Sequence, residues 1–132
     1  MEAIQQMMDK DRFGRGAGIE LVAVSEGRAT ARMQLGPQHW NGHNLAHGGA
    51  IFTLADFAFA AASNSYGTVA VAINANITFI KAATTGTLTA EAKEASKNPR
   101  LGSYTIEVRD EQGDLVALFQ GLAYRKSEKL SV

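Results

Sequence analysis

Ala50-Ile51-Phe52-Thr53-Leu54-Ala55-Asp56-Phe57-Ala58-Phe59-Ala60-Ala61-Ala62 is apolar in every direction around a helix and carries one charge, Asp56. Its alanines favour the helical state, and a helix with no polar stripe must be surrounded by protein. The run is too short to span a bilayer, and an aspartate sits in its middle. The spacing predicts a central helix over residues 48–64, with Asn64-Ser65-Tyr66-Gly67 as its stop. What encloses it must come from the flanking chain.

Upstream, Ile4, Met7 and Met8 lie at helical spacing in a predicted N-terminal helix within residues 1–13, and Gly14, Gly16 and Gly18 then read as a flexible connection. Gly18–Val24 and Arg28–Leu35 read as strands joined at Ser25-Glu26-Gly27. In the second, Ala29, Ala31, Met33 and Leu35 share one face, while Arg28, Thr30, Arg32 and Gln34 share the other, the pattern of a half-buried strand. Residues 36–47 are polar and loop-like. Downstream, strands are expected at Thr68–Ile80, Thr85–Ala95, Gly102–Asp110 and Leu115–Tyr124, with a hairpin turn at Glu111-Gln112-Gly113-Asp114 and a frayed tail over 127–132. Their short connections point to four antiparallel neighbours. One sheet wrapping one buried helix satisfies these patterns, in a single domain over residues 1–132.

Lys and Arg total 13, as do Asp and Glu, so the net charge is zero with histidine neutral. That balance argues against a nucleic-acid partner, and no run of Lys and Arg suggests an anionic membrane surface. Cysteine is absent, which excludes disulfides, thiolate metal sites and a catalytic thiol. The N-terminus lacks the basic start and apolar run of a signal peptide. A cytoplasmic protein is expected.

Asp56 is the only charge between Gly48 and Ile80. Two readings fit it: a functional carboxylate whose pKa is raised by apolar surroundings, or a residue on an exposed strip, or bonded to Thr53. His47-Gly48-Gly49 falls where loop becomes helix. There, unpaired N–H groups carry partial positive charge, and glycine lets a carbonyl approach them, as an oxyanion hole requires; loop geometry or tight packing also explains a glycine pair. Gly48 and Asp56 stand eight residues apart, about 12 Å along a helix and roughly 80° in direction, so one substrate carbonyl cannot reach both. If both act, Gly48 of one copy must meet Asp56 of another across a two-fold axis. His39, His43 and His47 recur at four-residue spacing, but Gly42, Asn44 and Gly48 interrupt that helix and no acidic cluster completes a ligand set, so no metal is expected. Neither a dinucleotide fingerprint, a phosphate-binding loop nor a Gly-x-Ser-x-Gly elbow is present.

Asn41-Gly42-His43-Asn44-Leu45-Ala46-His47-Gly48-Gly49, followed by Thr53-Leu54-Ala55-Asp56 and Asn64-Ser65, resembles the hotdog-fold acyl-CoA thioesterases of the phenylacetate-degradation type. The resemblance runs from about Gly18 to Arg125 and includes Val116-Ala117-Leu118-Phe119-Gln120-Gly121. It implies an α+β hotdog fold, a five- or six-stranded antiparallel sheet wrapped around one long central helix. It also implies homodimers with shared active sites, paired again into tetramers, and hydrolysis of an aromatic or fatty acyl-CoA to free acid and coenzyme A. No cofactor is implied, since coenzyme A belongs to the substrate.

By the same resemblance Asp56 is the catalytic carboxylate, as general base or as nucleophile, and the Gly48 N–H stabilises the oxyanion. Asn41 holds the carbonyl or the water, and His47 supports the loop. Gly49 and Thr53 contact substrate. Related enzymes carry Ser or Thr on the strand after the helix; here Asn74 stands as its polar substitute or as a structural residue of the dimer-joining strand. Lys81, Lys97 and Arg100 are candidate partners for coenzyme A phosphates, and Trp40, Phe52, Phe57 and Phe59 for the acyl pocket. A hotdog hydratase or dehydratase and a non-catalytic acyl-CoA sensor are the competing readings.

Overall fold

Alternation along the strands separates a dry face from a wet one. The computed structural model describes residues 1–131. Its elements are helices α1 (Glu2–Asp9), α2 (Arg12–Gly16) and α3 (Gly48–Ser63), a 3-10 turn at Pro37–His39, and strands β1 (Ile19–Ser25), β2 (Arg28–Gln34), β3 (Thr68–Phe79), β4 (Thr87–Lys97), β5 (Leu101–Arg109) and β6 (Leu115–Lys129). The strands form one antiparallel sheet in the order β1-β2-β4-β5-β6-β3. Ala29, Ala31 and Met33 of β2, Leu88, Ala90 and Ala92 of β4, Tyr104, Ile106 and Val108 of β5, and Ala117, Phe119 and Ala123 of β6 are buried on one face. On β2 the partners of that alternation, Arg28, Arg32 and Gln34, are exposed, as the sequence pattern requires.

The central helix α3 lies on the dry face. Leu54, Ala55, Ala58, Ala61 and Ala62 lose all contact with solvent. Phe59 packs between Tyr104 and Phe119, with ring centroids 5.6 and 5.8 Å away. A Cβ on Gly121 would stand 2.7 Å from the Phe59 ring, so this glycine is the space β6 leaves for that ring. Burial of a Leu or Phe side chain contributes about 1.5–3 kcal/mol, and the small alanines of α3 let the sheet approach closely enough to collect it. Among the described residues no helix is long and apolar enough to cross a membrane.

Four expectations need correction. The N-terminal helix is two helices, because Asp11 leaves the helical region (φ −74°, ψ 92°) and caps α2 through its carboxylate. Gly14 and Gly16 therefore lie inside α2 rather than in a flexible connection. The tail is strand as far as Lys129, which pairs with Thr68, and the Leu130 N–H donates to Gly67 O at 2.9 Å; Val132 lies outside the described residues. The last four strands are not neighbours in chain order, since β3 pairs with β6 at the sheet edge and β4 pairs with β2 and β5. Finally, α3 is not covered all round: Gly49 is exposed, and Thr53, Asp56 and Ala60 are half-buried, along one stripe facing away from the sheet.

Candidate active site

The loop before α3 is held by its own polar groups. Asn41 Oδ1 accepts from the His43 and Leu45 N–H groups at 2.8 and 3.2 Å, and the Asn41 N–H donates to Leu45 O at 2.7 Å. This ties up the amide oxygen and leaves the Asn41 NH₂ as its free donor. Asn44 takes the left-handed conformation, φ 59°, that closes the turn. Buried His39 accepts from the Gly36 N–H at Nδ1, so its Nε2–H donates to Ala17 O at 2.6 Å. Its carbonyl receives the His47 N–H at 2.7 Å, fixing where α3 begins.

His47 is the N-cap of α3, and its Nδ1 accepts from the Gly49 N–H at 2.8 Å. The Ala50 and Ile51 N–H groups turn back to His47 O. Of the first-turn amides named here, that of Gly48 has no acceptor among the described residues. It stands at the positive end of the helix. A Cβ at Gly48 would lie 3.1 Å from the Phe79 ring, so glycine there permits the close fit of β3 to the helix start. Two turns on, no hydrogen bond among the described residues holds the Asp56 carboxylate. Burial pushes its pKa up, and the nearby charge of Asp11 pushes it the same way.

Two clefts flank this helix start. The larger, about 730 Å³, is lined by Phe13, Trp40, His47, Gly49, Phe52 and Thr53 among others. The smaller, about 360 Å³, is lined by Asn41, Gly48, Ile51, Phe79 and Lys81 among others. The structure thus gathers Asn41, His47, Gly48, Gly49, Thr53 and Lys81 around the first turn and a half of α3. Thr53 Oγ1 donates to Gly49 O at 2.7 Å rather than bonding Asp56. Lys81 is gripped by Asp110 and Asp114, each at 2.7 Å, which raise its pKa by hydrogen bonding; its charge is already matched.

Asn74 and Arg100 are not brought in. Asn74 pairs with Leu122 on the sheet face turned away from α3, beside Ser103 and Gln120. Arg100 lies in the β4–β5 turn next to Arg125, at the opposite end of the sheet from Gly48 and Phe79. Lys97 rests over the Tyr66 ring, 4.3 Å from its centroid. Phe57 and Phe59 belong to the core, whereas Trp40 and Phe52 line the larger cleft. The sequence reading missed Asp11, Arg12 and Phe13 of the α2 segment. The signal was an Asp three residues before a glycine after a helical run, the pattern of a second cap.

Six antiparallel strands curled over one central helix define the hotdog class of α+β proteins; among the described residues the amide at that helix's start and the carboxylate two turns along have no partner. Comparison with known proteins narrows the class. The family described as the thioesterase superfamily matches residues 43–117. The chain is 40% identical over 130 residues to an Archaeoglobus fulgidus protein, covering 97% of this chain and 84% of that one. It is 40% identical over 120 residues to the acyl-coenzyme A thioesterase PaaI of Escherichia coli, covering 90% and 86%. The solved structure of the E. coli PaaI protein, from the phenylacetic acid degradation operon, superposes with a TM-score of 0.94 at 37% identity over 98% of this chain and 95% of that one. This chain belongs to the thioesterase superfamily.

Proposed function

We propose that the protein is an acyl-CoA thioesterase acting on an aromatic, phenylacetyl-type acyl group, and that it works as a single domain assembled into two-fold dimers. The observation that carries this reading is the Gly48 N–H, left without an acceptor at the positive end of α3 and opening on a cleft. Similarity to the E. coli protein named acyl-coenzyme A thioesterase supports the substrate class. The aromatic lining of the larger cleft, Phe13, Trp40 and Phe52, suits an aryl group.

In this reading the thioester oxygen accepts from the Gly48 N–H and from the Asn41 NH₂, which stabilise the negative charge that develops on it. Asp56 of the second copy either removes a proton from water as the water attacks the carbonyl carbon, or attacks that carbon itself to give an anhydride that water then opens. In both cases collapse of the oxyanion breaks the C–S bond and expels the sulfur of coenzyme A. By the first route this gives the free acid directly; by the second it gives the anhydride, which water then opens to the free acid and the Asp56 carboxylate. One proton of that water ends on the coenzyme A thiol and the other on the acid. His47 acts by holding Gly49, which leaves the Gly48 N–H aimed outward. Helix geometry keeps Gly48 and Asp56 of one copy apart, so the second copy completes the site. The uncharged edge of β3 is where that copy adds, and pairing of such dimers gives a tetramer.

A hydratase needs an imidazole paired with a carboxylate. Both nitrogens of His39 and Nδ1 of His47 are bonded to backbone instead, which favours hydrolysis. Thiol release from a panel of acyl-CoAs tests the reading, and with no cysteine in the chain a thiol-reactive dye reports only liberated coenzyme A. Asp56→Asn should cut the rate by about 10²- to 10⁴-fold with the fold retained. A fully active Asn variant would overturn the assignment.

A further inference from the structure

The short helix α2 is seated closely on α3 where Gly14 meets Phe57. A Cβ on Gly14 would lie 2.8 Å from the Phe57 ring and 3.0 Å from Asp11 Oδ2, so ring, glycine and carboxylate are pressed together at the turn that carries Asp56. Asp11 Oδ1 accepts the Gly14 N–H at 2.9 Å, and this cap fixes the carboxylate in place. Its other oxygen makes no hydrogen bond within the described residues.

We propose that Asp11 is a positioning residue for the reaction: held by its cap of α2, it makes Asp56 a stronger base by charge alone, without touching the substrate. This rests on the reading of Asp56 as the catalytic carboxylate. The other charged or titratable groups around α3 leave Asp11 without a rival. From the sheet, Tyr104 of β5, Arg125 of β6 and Glu94 of β4 stand on the dry face, all near the C-terminal end of the helix: Tyr104 and Arg125 lie 3.4 Å apart, and Glu94, opposite Tyr104, accepts from the Tyr66 hydroxyl at 2.7 Å. β3 carries no charge, and Glu20 of β1 and Arg28 and Arg32 of β2 are exposed. On α1, Glu2 and Asp9 are exposed, as is Lys10 after it. On α2, Arg12 and Arg15 are exposed, and Arg15 is turned back to Asp9 O at 3.0 Å. From the loop, His47 is engaged with Gly49. Burial and the charge of Asp11 both hold the Asp56 carboxyl above the ordinary range, burial being the larger cause. Basicity and proton-taking power rise together.

Asp11→Asn separates charge from structure, because asparagine is as good an N-cap as aspartate. The test is kcat/KM against pH for wild type, Asp11→Asn and Asp11→Ser, with a carbon-13 titration of the Asp56 carboxyl in the same proteins. Both variants should move the acid limb and the Asp56 titration to lower pH, while lowering the rate on the alkaline plateau, so the profiles cross. High salt should move the wild-type limb toward that of the variants. Limbs and titrations that superimpose on wild type overturn the proposal, whether or not the melting temperature has fallen. If Asp56→Asn proves fully active, the catalytic reading of Asp56 fails separately, and the carbon-13 titration still reports whether Asp11 acts on it.

Discussion

The two edges of the sheet are built in opposite ways. At one end β1 is seven residues long, bulges at Val22 and carries Glu20, which reaches Arg32 at 3.2 Å. Shortness, a bulge and charge are the devices by which natural sheets keep an edge from pairing with another chain. At the other end β3 runs for twelve residues, Thr68–Phe79, without a single charge, and leaves Val71, Ile73 and Phe79 exposed. A long, neutral, apolar edge invites another strand. The difference teaches that the two edges serve different ends: β1 is protected against pairing, and β3 has the features of an edge that accepts another strand, as the proposed dimer requires.

The sharpest way to break this comparison is to place one charge on each edge. Ile73→Lys on β3 should convert the proposed dimer to monomer on size-exclusion chromatography. It should cost activity at least as much as losing an oxyanion donor, about 10²- to 10³-fold. Val22→Lys on β1 should leave both mass and rate unchanged. Equal behaviour of the two variants would remove the distinction.

A second experiment asks whether the edge serves to join half-sites. Gly48 is the first residue of α3, and His47 before it is extended at φ −61°, ψ 137°, so Gly48→Pro suits the backbone on both counts. It deletes the N–H, and because added carbons approach the Phe79 ring, circular dichroism and sizing of the variant accompany the rate. A loss in kcat of about 10²- to 10³-fold is expected. Unfolding and reassembling equal amounts of Gly48→Pro and Asp56→Asn should then restore about a quarter of wild-type activity, since half the dimers are mixed and each holds one intact site. Failure to recover activity in proven mixed dimers would place each site within one chain.

The smallest effect concerns stability. The pKa of Asp56 is raised in the folded state, so the folded protein holds that proton more tightly than the unfolded chain. Its ionisation therefore opposes folding: the penalty is absent below the unfolded pKa of about 4 and complete above the folded one. Asp56→Asn should raise the melting temperature at neutral pH, and the gain should vanish in acid. An increase that persisted unchanged at pH 3 would point to packing rather than charge.

Much of this was legible because it is periodic. The dry face of β2 and the helical run around Asp56 follow from spacing alone, and the Gly48-to-Asp56 separation follows from helix geometry. Strand order was not legible. The short connection after β3 pointed to an antiparallel neighbour, yet residues 80–86 cross past β6 and β5, a distance of about 14 Å at the usual strand spacing that so short a segment can still span. Of the two readings of Asn74, the polar substitute beside the site does not fit its position, for a related reason: the register slips between Ala72 and Asn74, and that bulge turns Asn74 to the far face of the sheet. Asp11 escaped because capping depends on where the second helix begins, which the packing of Gly14 on Phe57 decides.

The pairing of Lys129 with Thr68, tightened by the Leu130 N–H on Gly67 O, brings the end of the last strand to the root of the edge strand. Fusion partners and affinity tags are therefore not interchangeable between the two termini. A bulky module joined just after Leu130 would crowd the first residues of β3, while one joined before Glu2 would hang from α1 at the outside of the molecule. For building fused or immobilised forms, the N-terminal side is the handle the architecture leaves open.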